Sequence, residues 1–213
     1  MDQAAASTAA AAPARGRMRA LVWSIPNQLT YARILAVPAL ALCLTVSHGV
    51  IAHAIATVIF AAAAVTDFFD GYLARAWSQQ SPLGRMLDPI ADKLLVAVAI
   101  LMLAAEGIIG GVSLFAGVII LCRELLVSGL REYLAELKVG VPVSLLAKWK
   151  TAMQLAALSL LIASPVLAPF IPRITLLGLG LFWAAALLTI WTGYDYLRAS
   201  VGHAIEDPDP PET

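Results

Sequence analysis

With 213 residues the chain has room for one domain, and at 61% hydrophobic and 13% charged residues it is far too apolar for a water-soluble globule, since soluble domains carry about 25% charged residues. A mean hydropathy of +0.84 agrees. The formal net charge of zero gives no reason to expect a nucleic-acid partner. Cys43 and Cys122 lie far apart in apolar runs, which reads as two small hydrophobes and not as a disulfide framework.

Taken in chain order, residues 1–16 form an Ala-rich tail expected to be disordered, and residues 17–23 a short interfacial segment with Trp23 at headgroup depth. After the break at Pro26-Asn27, the apolar pattern predicts spans at 29–46, 50–75, 83–105, 112–134, 145–163 and 174–197, because a spanning helix needs about 20 apolar residues. The joints hold breakers: Gly49, Ser78 to Pro82, Gly107 with Gly110-Gly111, Gly140 with Pro142, and Ser164-Pro165 with Pro169 and Pro172. Residues 201–213, rich in acids and prolines, read as a second disordered tail, which leaves 17–200 as the membrane domain. The fold class is therefore an all-α integral membrane protein of six transmembrane helices.

Arg15, Arg17, Arg19, Arg75, Arg85, Arg131, Lys138, Lys148, Lys150 and Arg198 fall on one side of these spans and only Arg173 on the other. The positive-inside rule makes the first side cytoplasmic, with both termini there. His48 and His53 lie on the opposite side and read as interfacial.

Four carboxylates, Asp67, Asp70, Asp88 and Asp92, punctuate the second and third spans. Only twelve uncharged residues separate Lys93 from Glu106, so the third helix must include the Asp88–Asp92 turn to cross the bilayer. On a helix Asp67 and Asp70 lie about 60° apart and Asp88 and Asp92 about 40° apart, so each pair shares a face. The short connection at 77–82 favours antiparallel neighbours with those faces opposed. Acids at membrane level are costly unless they have work to do. Oxygen-only donors suit Mg²⁺ or Mn²⁺, and four of them can hold two ions about 4 Å apart, the arrangement that serves phosphoryl transfer. Between the pairs, Gly71, Ala74 and Gly84 remove bulk, and Arg75 offers a fork for a phosphate oxygen. Together they describe a site for a pyrophosphate-containing ligand.

The run from Asp67 through Asp70, Gly71, Ala74 and Arg75, then eight residues to Gly84, three more to Asp88 and three more to Asp92, resembles the full signature of the CDP-alcohol phosphatidyltransferases. That resemblance implies six transmembrane helices, a homodimer, a cytoplasm-facing site and displacement of CMP from a CDP-linked lipid by an alcohol. It implies a bacterial inner membrane, metal ligation by Asp67, Asp70 and Asp88, and a general-base role for Asp92, which could also ligate the second metal. The stretch 25–33 and the stretches 123–132 and 142–154 resemble the phosphatidylglycerophosphate synthase branch of that family. The implied partners are CDP-diacylglycerol, glycerol 3-phosphate, membrane lipids and a second copy of the chain.

The residues themselves point the same way. Arg123 and Arg131 are eight apart, about 80° around a helix, and with Lys148 and Lys150 they make a cationic pocket suited to an anionic acceptor. Glu124 and Glu132 are placed to orient those cations. Asn27 and Thr30 are candidates for contacts with the lipid nucleotide, Asn27 being equally a helix cap. Arg33 either reaches a phosphate or snorkels. The rival readings are a transferase of the same family with phosphatidylglycerol, serine or inositol phosphate as acceptor, and a divalent-cation transporter.

Overall fold

A computed structural model describes residues 25–46, 49–77, 82–136 and 145–206; side chains are described throughout these except at 25–26, 67–77, 82–83, 85, 136, 145, 147 and 199–206. Six helices follow one another: α1 (Ile25–Val46), α2 (Val50–Trp77), α3 (Pro82–Ala105), α4 (Ser113–Glu136), α5 (Leu145–Leu167) and α6 (Ile174–Glu206). No strand occurs among the described residues. Four stretches, in α1, α4, α5 and α6, are long and apolar enough to cross a membrane as they stand. The expected N-terminal tail, the interfacial segment with Trp23, and His48 and Lys138 lie outside the described residues.

The ends of the helices depart from expectation for identifiable reasons. Helix α1 begins at Ile25, so Pro26 stands in its first turn, where a missing N–H costs nothing, and Asn27 is inside the helix instead of capping it. Helix α5 runs through Ser164-Pro165, read from sequence as a breaker. Proline there cannot donate to the Leu161 carbonyl one turn back, but the Ser164 hydroxyl does so instead, at 2.8 Å. Helix α6 continues to Glu206, into the segment read as the C-terminal tail. The turn between α3 and α4 is made by Gly107 and Gly111, both at positive φ.

Packing places α1 at the heart of the first half of the bundle. Among the described residues α1 lies along both α2 and α3, α2 along α5, α5 along α6 and α4 along α6, whereas α2 and α3 share no extended interface. The expected opposition of the Asp67–Asp70 and Asp88–Asp92 faces involves α2 side chains outside the described residues, while helix α1 lies against both helices. Its contacts with α3 advance in step, from Thr30–Asp88 and Arg33–Asp92 at one end to Thr45–Met102 at the other. The two helices therefore run parallel, as the first and third members of an up-down order must.

The core joins Leu40, Leu44, Phe60, Leu103, Ile120, Leu158, Leu161 and Phe182, each at most 1% exposed, across all six helices. Leucines and isoleucines such as Leu35, Ile51, Leu101 and Leu176 remain exposed on the outside. A greasy exterior around a tight interior is what a lipid solvent calls for. Cys43 and Cys122 are free thiols, as their positions in apolar runs suggested.

His53, expected at the membrane interface, is buried within the bundle near the start of α2. It is 5% exposed, its Nδ1 lies 3.0 Å from the Ile162 carbonyl, and its Nε2 lies 3.5 Å from Glu106 Oε1. Since a carbonyl can only accept, Nδ1 carries the proton. The ring ties α2 to α5 and to the end of α3, far from the Asp88–Asp92 end of the bundle.

Candidate active site

The first half of α3 carries Asp88 and Asp92, one turn apart, and α1 supplies a partner to each. The Thr30 hydroxyl donates to Asp88 Oδ1 at 2.5 Å. Arg33 Nη1 donates to Asp92 Oδ1 at 2.7 Å, with the Arg33 side chain 0% and the Asp92 side chain 42% exposed. Arg33 is thus buried against a carboxylate and does not extend out to solvent. Thr30 directs its hydroxyl proton to Asp88. Asn27, one turn before Thr30, is 2% exposed, and Gly84, one turn before Asp88, is buried. The side chains of Asp67, Asp70, Gly71, Ala74 and Arg75 lie outside the described residues; their backbone forms the final turns of α2.

The donor chemistry of α3 fits a hard divalent cation. Two carboxylates one turn apart are each gripped through a single oxygen by a neighbouring helix, the way outer-shell groups orient metal-ligating carboxylates.

A cavity of about 710 Å³ opens beside Asp92. Its wall carries six cationic side chains, among them Arg33, Arg123, Arg131, Lys148 and Lys150, against two carboxylates, Asp92 and Glu124. That excess suits an anion, and the volume falls within the range of small-molecule sites. The four cations expected from sequence to form one pocket are thus brought together, with the expected base at its edge. Asn27, Thr30, Gly84 and Asp88 do not contribute to this wall.

The cations are held by three helices. Glu124 pairs with Lys150 Nζ and, at 3.4 Å, with Arg123 Nη1, so the orienting role expected of it is realised. Lys150 is 4% exposed, and a buried ammonium needs such a partner. Arg123 Nη2 donates to Thr192 Oγ1 at 3.2 Å, and the Thr192 hydroxyl donates in turn to the Leu188 carbonyl at 2.9 Å. A Cβ at Gly193 would stand 3.0 Å from Arg123 Cγ, so a larger residue there would push the arginine stem aside. Arg131 lies over the Tyr196 ring, 5.9 Å from its centroid. Sequence reasoning passed over Thr192, Gly193 and Tyr196. The available signal was a run of small and polar residues, Thr189, Thr192 and Gly193, on one face of an otherwise apolar helix.

A family model described as CDP-alcohol phosphatidyltransferase matches residues 23–191. The chain belongs to the CDP-alcohol phosphatidyltransferase family. Three bacterial relatives carry the name CDP-diacylglycerol–glycerol-3-phosphate 3-phosphatidyltransferase. The protein of Rickettsia bellii is 46% identical over 176 residues, 83% of this chain and 94% of the relative. That of Cereibacter sphaeroides is 38% identical, covering 84% and 96%, and that of Salmonella choleraesuis 37% identical, covering 86% and 98%. The family match takes in every residue of the acidic signature and of the cationic cavity, and with the apolar helices it makes the chain a multi-pass membrane protein.

Proposed function

We propose that this family member transfers the phosphatidyl group of CDP-diacylglycerol to the 1-hydroxyl of sn-glycerol 3-phosphate, giving phosphatidylglycerophosphate and CMP. The observation that carries the reading is the shared cavity: Asp92, at the end of the acidic signature, opens onto the same space as Arg123, Arg131, Lys148 and Lys150. An anionic acceptor held by those cations would present its hydroxyl toward a carboxylate. The names of the relatives support the same acceptor.

In this reading Asp67, Asp70, Asp88 and Asp92 hold two divalent ions, Mg²⁺ or Mn²⁺, and Gly71, Ala74, Gly84 and Arg75 accommodate the CDP group. Bound there, the ions would neutralise the diphosphate and so make CMP a better leaving group. The protein side of the step is proton handling and positioning. The acceptor hydroxyl attacks the lipid-bearing phosphorus, its proton passes to Asp92, and the P–O bond to CMP breaks with the electron pair leaving on CMP. Arg33 and Thr30 fix the two α3 carboxylates, and the Arg123–Glu124–Lys150 group fixes the acceptor phosphate. The enzyme would work as a homodimer in a bacterial inner membrane, with both termini and the site on the cytoplasmic side, as the arginine and lysine asymmetry indicates.

A panel of acceptors tests this with purified protein, Mg²⁺ and CDP-diacylglycerol. Glycerol 3-phosphate should drive CMP release well above phosphatidylglycerol, serine or inositol phosphate. Faster release with another acceptor would overturn the acceptor assignment, and no release with any of them would overturn the transferase reading.

A further inference from the structure

Helix α5 places a second kind of group on the cavity wall. Gln154 stands one turn after Lys150 on the same face, lines the cavity, is 2% exposed, and its Oε1 has no hydrogen-bond partner among the described residues. A buried amide oxygen without a donor is costly, and such groups are normally satisfied by the protein or by what the site binds. A half-turn of the carboxamide exchanges its oxygen and its NH₂, so the group can offer an acceptor or a donor to a ligand. A hydroxyl complements both.

The spacing narrows the ligand. Lys150 and Gln154 are separated by one turn, about 5.4 Å along the helix axis. An acceptor whose phosphate is held at Lys150 and Arg123, and whose nucleophilic hydroxyl points to Asp92, runs its carbon chain past Gln154. The group it presents midway is the hydroxyl on the carbon between the phosphate ester and the reacting carbon. We infer that Gln154 reads this middle hydroxyl, and that the site selects phosphomonoesters carrying a second hydroxyl next to the nucleophilic one. This assignment rests on the proposed use of a glycerol phosphate acceptor.

The probe is 3-hydroxypropyl phosphate, which keeps the phosphate and the nucleophile and lacks the middle hydroxyl. A site built to bond a hydroxyl rejects the analogue without it, because its own polar group is then left unpaired. The wild-type enzyme should favour glycerol 3-phosphate over the probe by roughly 10–100-fold in kcat/KM, the factor for leaving one buried neutral group unpaired. In Gln154→Met, close in length and apolar, that ratio should fall toward one, through loss with glycerol 3-phosphate and little change with the probe. The KM for CDP-diacylglycerol should stay unchanged. If Gln154→Met does not fold, Gln154→Asn, which withdraws the amide by one carbon, should show the same collapse of the ratio. Equal use of both acceptors by the wild type, or a proportional loss with both in the variants, overturns the assignment. Failure of the proposed function looks different: neither phosphate supports CMP release while another alcohol does, and the Gln154 assignment then falls with it.

Discussion

Replacing Arg33 by methionine tests what the α1–α3 contact does. The guanidinium is wholly buried and bonded at 2.7 Å to Asp92, whose side chain is 42% exposed. Removing one partner of a fully buried ion pair costs about 3–5 kcal/mol. Here the carboxylate left behind can hydrate, and methionine refills most of the volume, so about 1–3 kcal/mol, the range for a hydrogen bond to a charged group, is the better figure. The fold should therefore survive in detergent. Loss of an outer-shell partner of a functional carboxylate commonly costs about 10–100-fold in activity. The expected result is a kcat lower by that factor in glycerol 3-phosphate-dependent CMP release, with KM for CDP-diacylglycerol within about twofold of wild type and partial rescue by Arg33→Lys, which keeps one donor. An unchanged kcat with a raised KM for the donor lipid would refute the reasoning, since it would make Arg33 a phosphate ligand instead of the support of Asp92.

Other outcomes follow from single contacts. Thr30→Val removes the hydroxyl on Asp88 and should raise the Mg²⁺ concentration needed for half-maximal activity by about tenfold or more, read from a metal titration. Gly193→Ala puts a methyl 3.0 Å from Arg123 Cγ, and displacing that stem should raise KM for glycerol 3-phosphate by about tenfold while sparing KM for the donor. Ser164→Ala leaves the Leu161 carbonyl without its donor and should lower stability by about 0.5–1.5 kcal/mol, measured by thermal unfolding in detergent, with kcat unchanged.

What was legible in the sequence is what depends on local spacing. The helix order, the pairing of Asp88 with Asp92 on one face, and the gathering of Arg123, Arg131, Lys148 and Lys150 all follow from 3.6-residue periodicity and from charges too costly to strand in lipid. What stayed hidden depends on partners distant in sequence. Arg33 looked equally suited to a headgroup or a phosphate, because nothing local says that α1 packs along α3 in the register that meets Asp92, 59 positions away. The contacts of His53 gave no sign in the sequence because its partners, the Ile162 carbonyl and Glu106, are distant along the chain. Ser164-Pro165 looked like a stop because proline removes a donor, and only the serine rotamer shows that the donor is replaced. The support of Arg123 by Thr192 and Gly193 escaped notice because neutral, small residues on α6 carry no local sign of a partner 69 positions away.

Manganese bound to the purified protein gives the shortest route to the heart of the account. Mn²⁺ electron paramagnetic resonance, recorded with CDP-diacylglycerol present, reads occupancy without any turnover. If the carboxylates of α2 and α3 grip the same ions, Asp67→Asn and Asp88→Asn should each weaken Mn²⁺ binding by about tenfold or more. Binding that responds to substitutions on one helix and ignores the other would contradict a site assembled from both.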